Sequence, residues 1–226
     1  MMGRYQDLDQ FTLFPMDEAK VRREGIYRVL SGEAAERAAL KIIQKQIDPN
    51  AKRHRQAHGA LVPDLTFSFM GYPVWGEVKS VNMPHGDVLL RMDQHHNFGL
   101  VERDHQDANV AYCFLLHPPD VQTIAPADLV GWFLAHGRLR LLSLNEVDWR
   151  LHRTGARAYI QKSMVEAHER YRRKHNIPKG RRRGWAAYLW WRVKGSRFFE
   201  GWEGTEYTFA EVELQGRATQ EAQTQG

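Results

Sequence analysis

Apolar residues recur at helical spacing through Ala35, Ala38, Ala39, Ile42 and Ile43, with Ser31 placed to cap, and this predicts a helix running to about Gln46. Upstream, the first twenty residues show no clear period, and Pro15 followed by Met16-Asp17-Glu18 marks a short helix or a lead into one. Ile47 to Gln56 is polar and basic, and the period then falls to two. Leu61 to Met70 reads as a strand, Gly71-Tyr72 as a tight turn, and Val74 to Val81 as the partner strand of a hairpin. A polar stretch at Asn82 to Gly86 leads to a helix expected from about Met92 to Asp107. Asn109 to His117 is almost continuously apolar, which suits a strand covered on both faces, and Pro118-Pro119 end it. Ala125-Pro126-Ala127-Asp128 opens a further helix carrying Leu129, Trp132 and Phe133 inward, and Leu139 to Leu144 reads as one more strand.

The order helix, hairpin, helix, strand, helix, strand describes an α/β core ending near residue 150. Beyond it, residues 156–175 carry Ile160, Met164, Ala167 and Tyr171 at helical spacing and predict a second long helix, broken by Pro178-Lys179-Gly180. Trp185, Tyr188, Leu189, Trp190 and Trp191 form an aromatic cluster behind Arg181-Arg182-Arg183. The expected organisation is an N-terminal segment 1–24, a core 25–150, a basic and aromatic extension 151–214, and a disordered tail 215–226 rich in Gln, Thr, Ala and Gly.

The chain has 226 residues, 42% hydrophobic and 26% charged, enough for one substantial core and an appendage. No apolar run approaches the roughly 18 residues of a membrane helix, and no signal-peptide pattern opens the chain, so a cytoplasmic protein is expected. The single cysteine, Cys113, lies within an apolar run, which excludes a disulfide framework and a zinc site built on Cys pairs. The net charge of +5 hides a sharper asymmetry: Arg170 to Arg197 holds eleven Lys or Arg and no Asp or Glu, whereas the residues after Phe198 are mainly acidic. So many uncompensated cations point to a polyanion as partner. The candidate nucleic-acid contacts are Lys52, Arg53 and Arg55 in the first basic stretch, and Arg172, Arg173, Lys174, Arg181, Arg182 and Arg183 in the second.

Chemistry concentrates in the hairpin. Pro63-Asp64 opens its first strand, and Glu77-Val78-Lys79 lies on the second. Side chains alternate across a strand, so Glu77 and Lys79 share a face, and two carboxylates and one ammonium converge. Asp64 and Glu77 supply hard oxygen ligands suited to Mg²⁺, which accepts one or two carboxylates and keeps several waters. Lys79 beside that ion is placed to hold, or help deprotonate, a water aimed at a phosphodiester.

This pattern resembles the PD-(D/E)xK nuclease superfamily, with Asp64, Glu77 and Lys79 as its defining residues. Within it, Gly32-x-x-x-Glu36 on the first helix is similar to the opening of the Holliday-junction resolvases, as are the gaps of 28 residues from Glu36 to Asp64 and 13 from Asp64 to Glu77. Glu33 is the alternative helix carboxylate. Gln94, in Met92-Asp93-Gln94-His95, matches the glutamine that resolvase-like members carry on the helix after the hairpin. The resemblance covers about residues 25–135. It implies a restriction-endonuclease-like core, a central mixed β-sheet flanked by helices. It also implies a metal-dependent endonuclease acting on DNA with Mg²⁺ or Mn²⁺, metal ligands Asp64, Glu77 and Glu36, assistance from Lys79 and Gln94, and a homodimer. Compact resolvases end near the core, whereas about 80 residues follow it here. The restriction, transposon-end and phage nucleases of the same superfamily therefore stay open. So does a non-catalytic nucleic-acid-binding protein that relies on residues 170–197.

Other motifs carry less. His95-His96-Asn97 superficially suggests an HNH nuclease but falls in the middle of an expected helix. His85, His105 and His117 lack the HExxH spacing, and there is no GxxxxGK[ST] phosphate loop.

Overall fold

The computed structural model describes residues 18–54, 62–104, 109–160 and 189–209. In chain order these form α1 (Glu18–Gln46), β1 (Lys52–Arg53), β2 (Leu65–Phe69), β3 (Tyr72–Asn82), β4 (Asp87–Arg91), α2 (Met92–Asp104) and β5 (Asn109–His117). A 3₁₀ turn (Pro119–Thr123) leads to α3 (Leu129–His136), β6 (Arg138–Ser143), α4 (Leu144–Arg153), β7 (Arg157–Ile160), β8 (Leu189–Lys194), α5 (Gly195–Phe198) and β9 (Glu206–Tyr207).

Among the described residues the main sheet is mixed, with strand order β1-β2-β3-β5-β6-β9, and helices flank it. Only β3 and β5 run parallel, Glu77 opposite Tyr112, and their crossover contains β4 and α2. Because β5 is central, both of its faces are covered, which is the physical origin of its unbroken apolar run. Cys113 and Leu115 face a core built with Ala35, Ala38, Ala39, Ile42 and Ile43 of α1 and with Leu129 and Phe133 of α3. Tyr112, Phe114 and Leu116 point the other way, into a second core with Phe98 of α2, Val147 of α4, and Phe198 and Phe199. The fold is therefore α/β, with one sheet between two apolar layers.

Several expectations need correction. The first helix begins by Glu18, well before Ser31. The first hairpin strand starts at Leu65, not Leu61, and its turn is Met70-Gly71. Helix α4, which the sequence reading missed, is capped by Ser143, whose hydroxyl accepts from the Glu146 N–H, a Ser-x-x-Glu signal visible in the sequence. The helix expected over 156–175 does not begin there, because Arg157–Ile160 is a strand. It pairs antiparallel with β8, which in turn pairs with β4 to form a separate three-stranded sheet. Residues 161–175 lie outside the described residues.

The boundary drawn at residue 150 does not part the fold. Phe198 and Phe199 are buried in the second core, and β9 closes the main sheet beside β6, where Glu206 pairs with Arg140. Part of the aromatic cluster is internal as well: Trp191 packs edge-on against His95. Trp185 and the tail 215–226 lie outside the described residues. Among the described residues, no helix is long and apolar enough to cross a membrane.

Candidate functional site

The antiparallel pairing of β2 and β3 sets Leu65 against Gly76, and one further step along the register brings Asp64 opposite Glu77. The close approach depends on Gly76, where a Cβ would stand 2.9 Å from Cys113 Sγ and 3.0 Å from Phe67. Pro63 and Asp64 are buried just before the strand begins, and the Asp64 carboxylate accepts a 2.9 Å hydrogen bond from the Val78 N–H. The His54 N–H donates to the Asp64 carbonyl, which ties β1 to the same corner.

Glu77, Lys79 and Gln94 form a closed triangle. Lys79 Nζ donates to Glu77 Oε1 at 2.6 Å and to Gln94 Oε1 at 3.3 Å, and Gln94 Nε2 donates to the same Glu77 oxygen at 2.7 Å. The period-two alternation of β3 puts Glu77 and Lys79 on one face, and α2 lays its first turn over that face to deliver Gln94. All donors converge on Oε1. Glu77 Oε2 is buried with no hydrogen-bond partner.

Glu36 approaches from α1. Arg53 of β1 holds it, with Nε at 2.8 Å and Nη2 at 2.6 Å from Oε2, in a largely buried pair. Arg53 is thus engaged inside the site rather than presented to a partner, while Lys52 is exposed. Arg55, Arg172, Arg173, Lys174, Arg181, Arg182 and Arg183 lie outside the described residues. Glu33, the alternative carboxylate, is near Arg37 one turn along the same helix at 3.9 Å, a surface pair.

The electrostatics follow from burial. Asp64 and Glu77 are 4% and 3% exposed. Desolvation, reinforced by the charges of Glu77 and Glu36, pushes the Asp64 carboxyl up to about 8, against the Val78 hydrogen bond and Lys79. The Cys113 thiol is also pushed up by burial and by the same two carboxylates, so it is inert packing. The carboxylates thus outnumber their nearby positive partners.

A divalent cation matches that deficit. Glu77 has one buried oxygen without a donor, Asp64 is driven to hold a proton for want of positive charge, and two hard carboxylates suit Mg²⁺ with its waters. Among the described residues, no three His, Cys, Asp or Glu side chains form a ready-made ligand set. Glu36 is held by Arg53, so two carboxylates are the donors at hand and Glu36 is adjacent.

Two features were not legible as parts of the site. One is the Arg53 clamp, whose only signal was a cation in a basic stretch. The other is a buried chain in which His95 Nδ1 lies 3.1 Å from Tyr112 Oη and Nε2 lies 2.9 Å from Asp148. It locks α2, and with it Gln94, against β5 and α4. His95 is therefore a packed core residue, as the sequence reading treated it. Compared with protein-family models, curated proteins and solved structures, the chain matches none of them.

Proposed function

We propose that this chain is a metal-dependent endonuclease of the PD-(D/E)xK type that hydrolyses DNA phosphodiester bonds. The observation carrying the reading is that Asp64, Glu77, Lys79 and Gln94, separated by up to 30 residues, converge on one buried corner with Glu36 beside them. The element order α1, β2, β3, α2, β5 supports a restriction-endonuclease-like core, since each of the five side chains sits on the element that the resemblance implies.

Asp64 and Glu77 would hold Mg²⁺ or Mn²⁺, with Glu36 in support. Bound there, the ion would supply positive charge to the phosphate oxygens and acidify a nucleophilic water. The protein's own groups do the rest. Lys79 has three N–H donors, two of which are spent on Glu77 and Gln94, so the third is available to the attacking water or a phosphate oxygen. Holding a proton against a carboxylate 2.6 Å away, Lys79 orients the water rather than abstracting from it. Gln94 fixes both partners and prevents Glu77 Oε1 from rotating toward the solvent. Hydrolysis breaks one P–O bond of the backbone and forms one to the water oxygen. DNA as the substrate and a homodimer that cuts both strands are further parts of this proposal, supported by the basic composition and by the resolvase-like opening of α1.

The test is cleavage of end-labelled four-way-junction, forked, linear duplex and single-stranded DNA with Mg²⁺ or Mn²⁺, beside Lys79→Ala and an EDTA control. Metal-dependent cuts lost in the variant support the reading, and cuts confined to the junction add a resolvase specificity. Cleavage retained by both Lys79→Ala and Asp64→Ala would falsify the mechanism. DNA binding without metal-dependent cutting would favour the non-catalytic alternative.

A further inference from the structure

At the far end of the β2–β3 hairpin the chain exposes two large side chains, Met70 at 84% and Tyr72 at 65%. The turn has positive φ at both central positions, 52° at Met70 and 84° at Gly71. Such turns favour Asn-Gly, because an L side chain at the first position is strained. Gly71 meets the requirement and Met70 violates it, on a surface where methionine packs against nothing. A strained, exposed apolar residue without a structural task marks a contact surface.

The surroundings indicate what it meets. Beside the tip lies a shallow hollow of about 360 Å³ lined by Asn50, Lys52, Thr66, Ser68 and Gly71 among others. It offers amide, hydroxyl and ammonium groups, and Lys52 is exposed. The nearby acid, Asp48, is occupied by the Ser68 and Asn50 N–H groups at 2.7 and 2.9 Å. An apolar wedge, an aromatic ring and a cation around a polar hollow match a nucleobase with its phosphate. The hairpin ties this tip rigidly to the carboxylate corner: Glu77 and Tyr72 lie five residues apart on one strand, about 17 Å. That distance spans about five nucleotides at 3.4 Å each.

We propose that the tip of this hairpin, Met70 with Tyr72, wedges against and stacks on an unpaired base where duplex DNA opens, with Lys52 on the adjoining phosphate. The choice of DNA rests on the function proposed above, and the test reads binding, so the two can fail separately. In that arrangement the hairpin acts as a ruler that sets the cut about five nucleotides from the branch.

Full-length protein in EDTA is titrated with a forked DNA carrying 2-aminopurine at the first unpaired position, and with a linear duplex. Wild type should bind the fork more tightly and change the 2-aminopurine fluorescence by stacking. Met70→Gly with Tyr72→Ser should lose that change and about tenfold in fork affinity, with duplex affinity unaltered. Met70→Gly alone should melt at or above the wild-type temperature, which shows that the turn survives. Unchanged fork binding and fluorescence in the double variant overturn the proposal, as does equal wild-type affinity for fork and duplex. So does self-association lost in the double variant while fork binding persists, since the tip would then serve a second copy of the chain. A wild type that stacks the fork base but cuts nothing with Mg²⁺ overturns the proposed hydrolysis and leaves the wedge standing.

Discussion

Asp64→Asn should stabilise the metal-free protein while abolishing its activity. The carboxyl is nearly inaccessible, and burial beside Glu77 and Glu36 raises it from 3.8 to about 8. The unfolded chain releases this proton near pH 4, whereas the folded protein keeps it until about pH 8. Stability therefore falls as the pH rises through that window, by up to about 1.4 kcal/mol per unit. At pH 7 the accumulated cost is on the order of 2 to 4 kcal/mol. Asparagine keeps the oxygen that accepts from the Val78 N–H and removes the charge, so most of this cost disappears. For a chain of this size the melting temperature in EDTA at pH 7 to 8 should rise by roughly 5 to 10 °C. At pH 4 wild type and variant should melt together. Mg²⁺ should raise the melting temperature of wild type, increasingly toward pH 8, and leave the variant where it was. Thermal melts from pH 4 to 9, with and without Mg²⁺, read every term. If Asp64→Asn melts lower than wild type at pH 8, or if the two curves run parallel in pH, the carboxylate cluster is not the site of unbalanced charge inferred here.

Other perturbations probe the neighbouring contacts. Lys79→Ala strips Glu77 of its ammonium and should cost on the order of 3 kcal/mol in EDTA, partly recovered by Mg²⁺, with cleavage lost; a melt and a cleavage assay on one preparation test both. Arg53→Ala releases Glu36 and should cost about 1 kcal/mol while tightening Mg²⁺ binding, because a carboxylate becomes available; calorimetric titration showing weaker binding would contradict that assignment. Gly76→Ala forces a Cβ to 2.9 Å from Cys113 Sγ and should destabilise by about 1 to 3 kcal/mol. Adding Cys113→Ala should return part of that loss, and strictly additive effects in a denaturant double-mutant cycle would count against the contact.

The residues of the site were readable before the fold because short-range geometry places most of them. Asp64, Glu77 and Lys79 sit on one hairpin, where alternation and turn length determine which side chains meet. Glu36 and Gln94 belong to helices whose positions in the chain were plain. What they do there was not readable. The Arg53 clamp, the single saturated oxygen of Glu77 and the anchoring of α2 through His95 to Tyr112 and Asp148 arise from strands and helices brought together across tens of residues.

The same division holds for the fold. Sequence alone determined the elements that bury a continuous stripe: the alanine and isoleucine face of α1, the hairpin, and the two-sided apolar run of β5. In each, the periodicity is itself the signature of burial. Tertiary structure alone decided where β4, β7, β8 and β9 pair. Two to six residues long, these strands gain their stability from partners distant in the chain, as when Asp87 meets Lys194 or Leu139 meets Tyr207. Nothing local distinguishes such a segment from a loop or a helix, so Arg157–Ile160 read as helix until β8 lay beside it. A strand's hydrogen bonds belong to another part of the chain, whereas a helix satisfies its own. That is why the helices and the hairpin could be read directly and the outer strands could not.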